Sequence, residues 1–148
     1  MKRIYNDINL ASRNSFGVSE RARMVVEFDS AEDLKEIFSA EHPDKWYVLG
    51  AGNNTLFTQY YDGVIFNPKA SSIAILGDDG EYVDLRVEAA YDWDSLVEWS
   101  VNNGLWGIEN LSAIPSSVGA APVQNIGAYG AEVKDAITTV EYFDTNKL

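Results

Sequence analysis

From Gly107 to Gly130 the chain runs through small residues and two prolines, with almost no charge. Glycine and alanine let backbone approach whatever lies beside them. Such a segment has two physical uses. It packs as a tight Gly/Ala helix-loop inside a core, or it lies against a flat or extended ligand. Ser116, Ser117, Gln124 and Asn125 offer hydrogen bonds, and Tyr129 offers a stacking face with a polar tip. The residue types alone leave both uses open.

A second glycine-containing turn, Gly50-Ala51-Gly52-Asn53-Asn54-Thr55, follows the apolar run Trp46 to Leu49. Successive N–H groups in a turn of this kind can form a nest for an anion such as a pyrophosphate. The alternative is a plain strand-to-loop connection. A Rossmann fingerprint does not fit. Thr55 stands where a third glycine belongs, and the stretch to Asp62 is too short and too poor in helix formers for a crossover helix.

Around these two segments the pattern is α+β. Arg23 to Asp29 reads as a strand, and Ser30 with Asp33 caps a helix whose apolar face is Leu34, Ile37 and Phe38. That helix ends before His42-Pro43. Trp46 to Leu49 reads as a buried strand, and Gly63 to Phe66 as another, stopped by Asn67-Pro68. Ile73 and Ile75 precede a Gly77-Asp78-Asp79-Gly80 turn, and Val83, Leu85 and Val87 alternate with polar residues. Asp92 caps a helix from about Trp93 to Asn103, with Leu96, Val97 and Val101 facing in and Gly104 ending it. Thr138 to Asp144 is expected to be a final strand. Two lobes are expected, residues 1–68 and 69–148. The turn signal Asp144 to Lys147 calls for a return strand, so the sequence reads as a truncated piece of a longer protein.

Charge narrows the function. Acids outnumber Lys and Arg by 23 to 11, for a net charge of -12 over 148 residues. Such a body repels nucleic-acid backbones and anionic membrane surfaces. There is no cysteine and a single histidine, His42, so thiolate chemistry and a multi-histidine metal site are excluded. No membrane insertion is expected, and the basic start lacks the apolar run of a signal peptide, so a cytoplasmic protein is expected. Glu32-Asp33 and Asp78-Asp79 read as capping and turn carboxylates rather than a catalytic pair.

Three stretches together carry a resemblance: Asn14 to Gly17, Leu49 to Phe57, and above all Glu109 to Gly130. In this order they resemble the UDP-N-acetylenolpyruvoylglucosamine reductase (UDP-N-acetylmuramate dehydrogenase) family of peptidoglycan precursor synthesis. The resemblance implies a two-lobed FAD-binding domain of the vanillyl-alcohol-oxidase (PCMH) type. It implies that Gly50, Ala51, Gly52, Asn53, Asn54 and Thr55 hold the FAD pyrophosphate, with Asn53 in place of the family's usual serine. It implies that Ile114, Pro115, Ser116, Ser117, Gly119, Ala120, Gln124, Ile126, Gly127, Ala128 and Tyr129 line the flavin, with Ser116 in place of a common glycine. The implied activity is reduction of an enolpyruvyl UDP-sugar, with FAD as redox cofactor and NADPH as reductant. The family's catalytic arginine, serine and glutamate motifs have no counterpart in this sequence and are expected beyond Leu148, as is the substrate domain. The fragment alone is therefore expected to be inactive. Another FAD-linked oxidoreductase of the same domain class, or a domain that has lost FAD binding, stands as the alternative.

Overall fold

The computed structural model describes Met1 to Thr145. It is α+β and divides into two compact units. The first holds Met1–Lys69 and takes back the chain from Tyr142; the second is Ala70–Glu141. The expected boundary instead gives everything after residue 68 to the second lobe. The Phe143 ring explains the return, since it packs 6.0 Å from Phe38 in the first unit's core.

The first unit is a four-stranded sheet in the order β1-β2-β4-β3. Its strands are β1 (Arg3–Asn9), β2 (Arg21–Phe28), β3 (Trp46–Val48) and β4 (Tyr61–Pro68). β1 runs antiparallel to β2, whereas β2 and β3 both run parallel to β4. The two central strands are covered on both faces, which is why Val25-Val26 and Val64-Ile65-Phe66 are continuously apolar. One face packs Val25 and Ile65 with Leu10, Leu49 and Phe57. The other packs Val26, Val64 and Phe66 against Ile37 and Phe38 of α1 (Ala31–Glu41). α1 begins as its sequence dictates, with the Ser30 hydroxyl accepting from Asp33 N–H at 3.1 Å. It ends on His42, held left-handed at φ 39°.

One expected feature differs here, and one strand is additional. β1 is the additional strand. Its buried contacts come from Tyr5 and Ile8, three residues apart, because Asp7 adopts a φ of 45° and breaks the two-residue period. β3 is not buried: Trp46, Tyr47 and Val48 are all exposed, because β3 is an edge strand whose sole neighbour among the described residues is β4.

The second unit pairs β5 (Ile73–Asp78) with β6 (Val83–Val87) through a turn tied by Asp78 and Asp79 side chains. α2 (Trp93–Asn102) follows, with Asp92 accepting from Ser95 N–H at 2.8 Å. Its buried stripe is Trp93, Leu96, Val97 and Ser100. Val101 lies outside that stripe and is exposed, contrary to expectation. Gly104 takes the left-handed angle expected of it, φ 72°. A one-turn helix α3 (Ala121–Gln124) and a small hairpin, β7 (Gly127–Ala128) with β8 (Ala131–Glu132), complete the unit. Their shared core joins Trp93 and Leu96 to Leu111, Ala121, Ile126 and Val133. The strand expected at 138–144 is absent among the described residues, since no described strand pairs with that stretch.

Candidate functional site

In the first unit the candidate site is set by topology. β3 and β4 are parallel neighbours joined directly, so the connection must travel back the length of the sheet without a helix. Its far half is anchored by buried Phe57. Its near half, Gly50 to Thr55, sits at the carboxyl end of β3.

The neighbours of this turn hold its carbonyl groups. Asn67, at the end of β4, donates from Nδ2 to Leu49 O at 2.6 Å and to Gly50 O at 3.1 Å. On the other side Ser15 donates to Gly52 O from both its N–H and its hydroxyl, each at 3.1 Å. The Ser15 hydroxyl also reaches Asn53 Oδ1 at 3.0 Å. Gly52 is buried with φ 76°, and a Cβ there would stand 2.2 Å from Arg13 O. Only glycine fits. Thr55 Oγ1 and the Tyr47 hydroxyl are 3.1 Å apart.

The N–H groups behave differently. Those of Gly50, Ala51, Gly52, Asn53 and Asn54 donate to no acceptor among the described residues. From Trp46 to Tyr61 the sequence holds no Asp or Glu, although the chain carries 23. Free backbone donors in an acid-free stretch suit an anion such as pyrophosphate.

Beneath this turn lies a cluster that the sequence did not announce. Glu27 of β2 receives Arg13 Nη1 at 2.7 Å, the Tyr5 hydroxyl at 3.2 Å and Lys69 Nζ at 3.4 Å. Burial pushes the Glu27 carboxyl up, but these partners outweigh it and hold the group below its usual range. Arg13 Nη1 also lies 3.4 Å from Asn67 Oδ1. Glu27 and Asn67 are register partners across β2 and β4. These residues are far apart in sequence and share no motif, so only the sheet register could reveal them.

In the second unit the candidate residues divide into two kinds. Ser116 to Gly119 runs beside Ala89 to Trp93: Ser116 O accepts from Trp93 N–H, while Val118 and Gly119 N–H donate to Tyr91 O and Ala89 O. Ser116 and Ser117 are buried, and the Ser116 hydroxyl donates to Ser117 O at 3.1 Å. A Cβ on Gly119 would stand 2.7 Å from Ala89 Cβ. Ile126 is in the core, and Ile114 packs on its edge. These residues serve the tight packing. Gly119, although it abuts Ala89, is exposed, as are Pro115, Gln124, Gly127 and Tyr129, while Ala120 and Ala128 are half-buried.

Tyr129 is 92% exposed. It occupies the hairpin tip with Gly130, at φ 52° and 84°. Both positive angles are those of a type I′ turn, where Asn-Gly is the favoured pair. A tyrosine at the first position is strained. Near it is a shallow, open surface depression lined by residues including Asn125, Gly127, Ala128, Gly130, Glu132 and Lys134. Glu132 pairs with Lys134 there, and that contact holds its carboxyl below the usual range.

Among the described residues no helix is long and apolar enough to cross a membrane. Residues 22–146 match the family described as FAD binding domain. The UDP-N-acetylenolpyruvoylglucosamine reductase of Aliivibrio fischeri is 43% identical over 91% of this chain and 39% of its own length. The protein of the same name from Pseudomonas fluorescens is 38% identical over 95% of this chain and 42% of its own. The chain thus spans well under half the length of these relatives. In fold it matches the crystal structure of UDP-N-acetylenolpyruvylglucosamine reductase from Thermus caldophilus, with a TM-score of 0.71. That match covers 91% of this chain and 47% of the other, at 22% identity.

Proposed function

The chain belongs to the FAD binding domain family, and on that premise we propose that it is the FAD-holding part of an enzyme that reduces UDP-N-acetylglucosamine enolpyruvate with NADPH. The product would be UDP-N-acetylmuramate, for peptidoglycan precursors, and the place of work the cytoplasm. The cofactor of the family is FAD, and the fold is the PCMH type of FAD-binding fold. The observation that carries the proposal is the row of free N–H groups from Gly50 to Asn54, in an acid-free stretch of a strongly acidic chain. Gly50, Ala51, Gly52, Asn53, Asn54 and Thr55 would hold the pyrophosphate. Ser112 to Gly130 is likewise free of charged side chains. Its Ile114, Pro115, Ser116, Ser117, Gly119, Ala120, Gln124, Ile126, Gly127, Ala128 and Tyr129 would serve the flavin, some by contact and the buried ones by shaping the backbone.

When bound, FAD supplies a ring that accepts and releases hydride. The chain's own work is to bind and orient. Backbone donors take phosphate oxygens without adding net charge, and Tyr129 offers an aromatic face. The substrate pocket and the groups that protonate the product would belong to the rest of the longer protein.

The test is a titration of the chain with FAD, following flavin fluorescence and thermal melting together. Saturable binding with a rising melting temperature is expected; at a hundredfold excess over Kd the stabilisation is about 2.7 kcal/mol. Gly52→Val and Tyr129→Ala should each weaken it. A melting curve indifferent to FAD, with no fluorescence change, refutes the assignment. For the longer protein, NADPH oxidation that depends on the enolpyruvyl UDP-sugar is the matching assay.

A further inference from the structure

We propose that Asn67 is a positioning residue that aims the phosphate-binding N–H groups of the Gly50 turn, with Ser15 as its counterpart on the other side. This rests on the assignment of that turn to the FAD pyrophosphate. The planarity of the peptide unit links each carbonyl to the amide that follows it. In a trans peptide the C=O of one residue and the N–H of the next point in opposite directions. Whatever grips the carbonyl therefore aims the amide. Asn67 Nδ2 holds Leu49 O and Gly50 O, which turns the N–H groups of Gly50 and Ala51 away from the protein side chain that holds them. Ser15 holds Gly52 O twice, which does the same for the N–H of Asn53. Three of the five free donors are thus aimed by two side chains that need never touch the ligand.

Asn67 is itself fixed. It is buried, and its Oδ1 faces the Arg13 guanidinium at 3.4 Å, which makes Nδ2 the end presented to the two carbonyls. Arg13 is held in turn by Glu27. Register places Asn67 one residue past Phe66, the partner of Val48, so its side chain reaches the first residues that leave β3. A leucine at position 67 has nearly the same shape and no donor. It would leave both carbonyls free to rotate.

The experiment compares Asn67→Leu with Val26→Ala, a core truncation on the face of the sheet packed against α1. FAD affinity and melting temperature are measured on both, and amide NMR signals of Gly50 and Ala51 are recorded without ligand. Asn67→Leu should weaken FAD roughly ten- to thirtyfold, the combined worth of two ordinary hydrogen bonds. Its Gly50 and Ala51 signals should move. Val26→Ala should lower the melting temperature yet leave FAD affinity within about twofold, because it removes packing and no aim. Wild-type affinity in Asn67→Leu overturns the proposal. So does an equal loss of affinity in Val26→Ala, which would make the effect one of stability. If the wild-type chain binds no FAD, the assignment of the turn falls, and the ligand-free amide signals decide the positioning role alone: unmoved signals overturn it. If Asn67→Leu does not fold, Asn67→Ser, which leaves room for a water at the two carbonyls, carries the same measurements.

Discussion

Gly52→Ala separates two costs that usually arrive together. The added methyl must adopt φ 76°, which costs about 1–2 kcal/mol for any L-residue. It must also find room where Arg13 O would stand 2.2 Å away and Asn14 Cα 2.9 Å away. Both neighbours are backbone, so a side-chain rotation cannot relieve the overlap. The Ala11–Arg13 turn or the Gly50 turn has to move, at the 1–3 kcal/mol typical of overpacking. The total is roughly 2–5 kcal/mol, a large share of the stability of a small domain. Gly17→Ala supplies the reference, because Gly17 has a similar φ of 65° with nothing within 4 Å of its missing Cβ. It should cost only the conformational part. Urea unfolding followed by far-UV circular dichroism, with hydrogen exchange at β2 and β4 amides to report on the first unit, gives both values. The gap between the variants should be about 1–3 kcal/mol. Equal losses in the two variants would show that the turn yields freely, and the account of a clamped turn would be wrong.

The Glu27 cluster gives a pH signature. Its carboxyl titrates lower folded than unfolded, so the stability it lends is complete above the ordinary value of 4.5 and is lost as pH falls through the lowered one. The stability gap between wild type and Glu27→Gln should therefore shrink from about pH 5 to pH 3; a constant gap across that range sinks the idea. At the hairpin tip, Tyr129→Asn relieves a strained left-handed tyrosine and should raise stability by up to about 1 kcal/mol while weakening FAD binding. A variant that binds FAD as well as wild type would remove Tyr129 from the site.

Local signals in the sequence suffice where one residue decides the outcome. Ser30 and Asp92 cap their helices as expected, and Gly104 turns left-handed after α2. The connection after β3 forms no crossover helix, as its residue types demanded. Signals failed where the third dimension intervenes. Asp7 shifts the phase of β1, so a periodic search overlooks the strand. Edge position, which no residue in Trp46 to Val48 encodes, leaves that apolar run exposed. Ser100 rather than Val101 completes the inward stripe of α2. The two candidate segments were legible as segments, yet the residues that grip the first of them, Asn67 and Ser15, come from distant strands and turns that only the register of the sheet brings close.

The return of the chain at Tyr142 makes the second unit an insertion within the first. Synthesis on the ribosome therefore meets an interruption. Met1 to Lys69 emerges with its four strands complete but without the Phe143 ring that packs on Phe38. The 72 residues of Ala70–Glu141 must then be made before that ring arrives. During that interval the apolar surface beside Phe38 and Phe66 stays open to the solvent and to chaperones. Nascent chains arrested before and after residue 143 should differ in their protection at α1, although every strand of the first sheet has already left the tunnel.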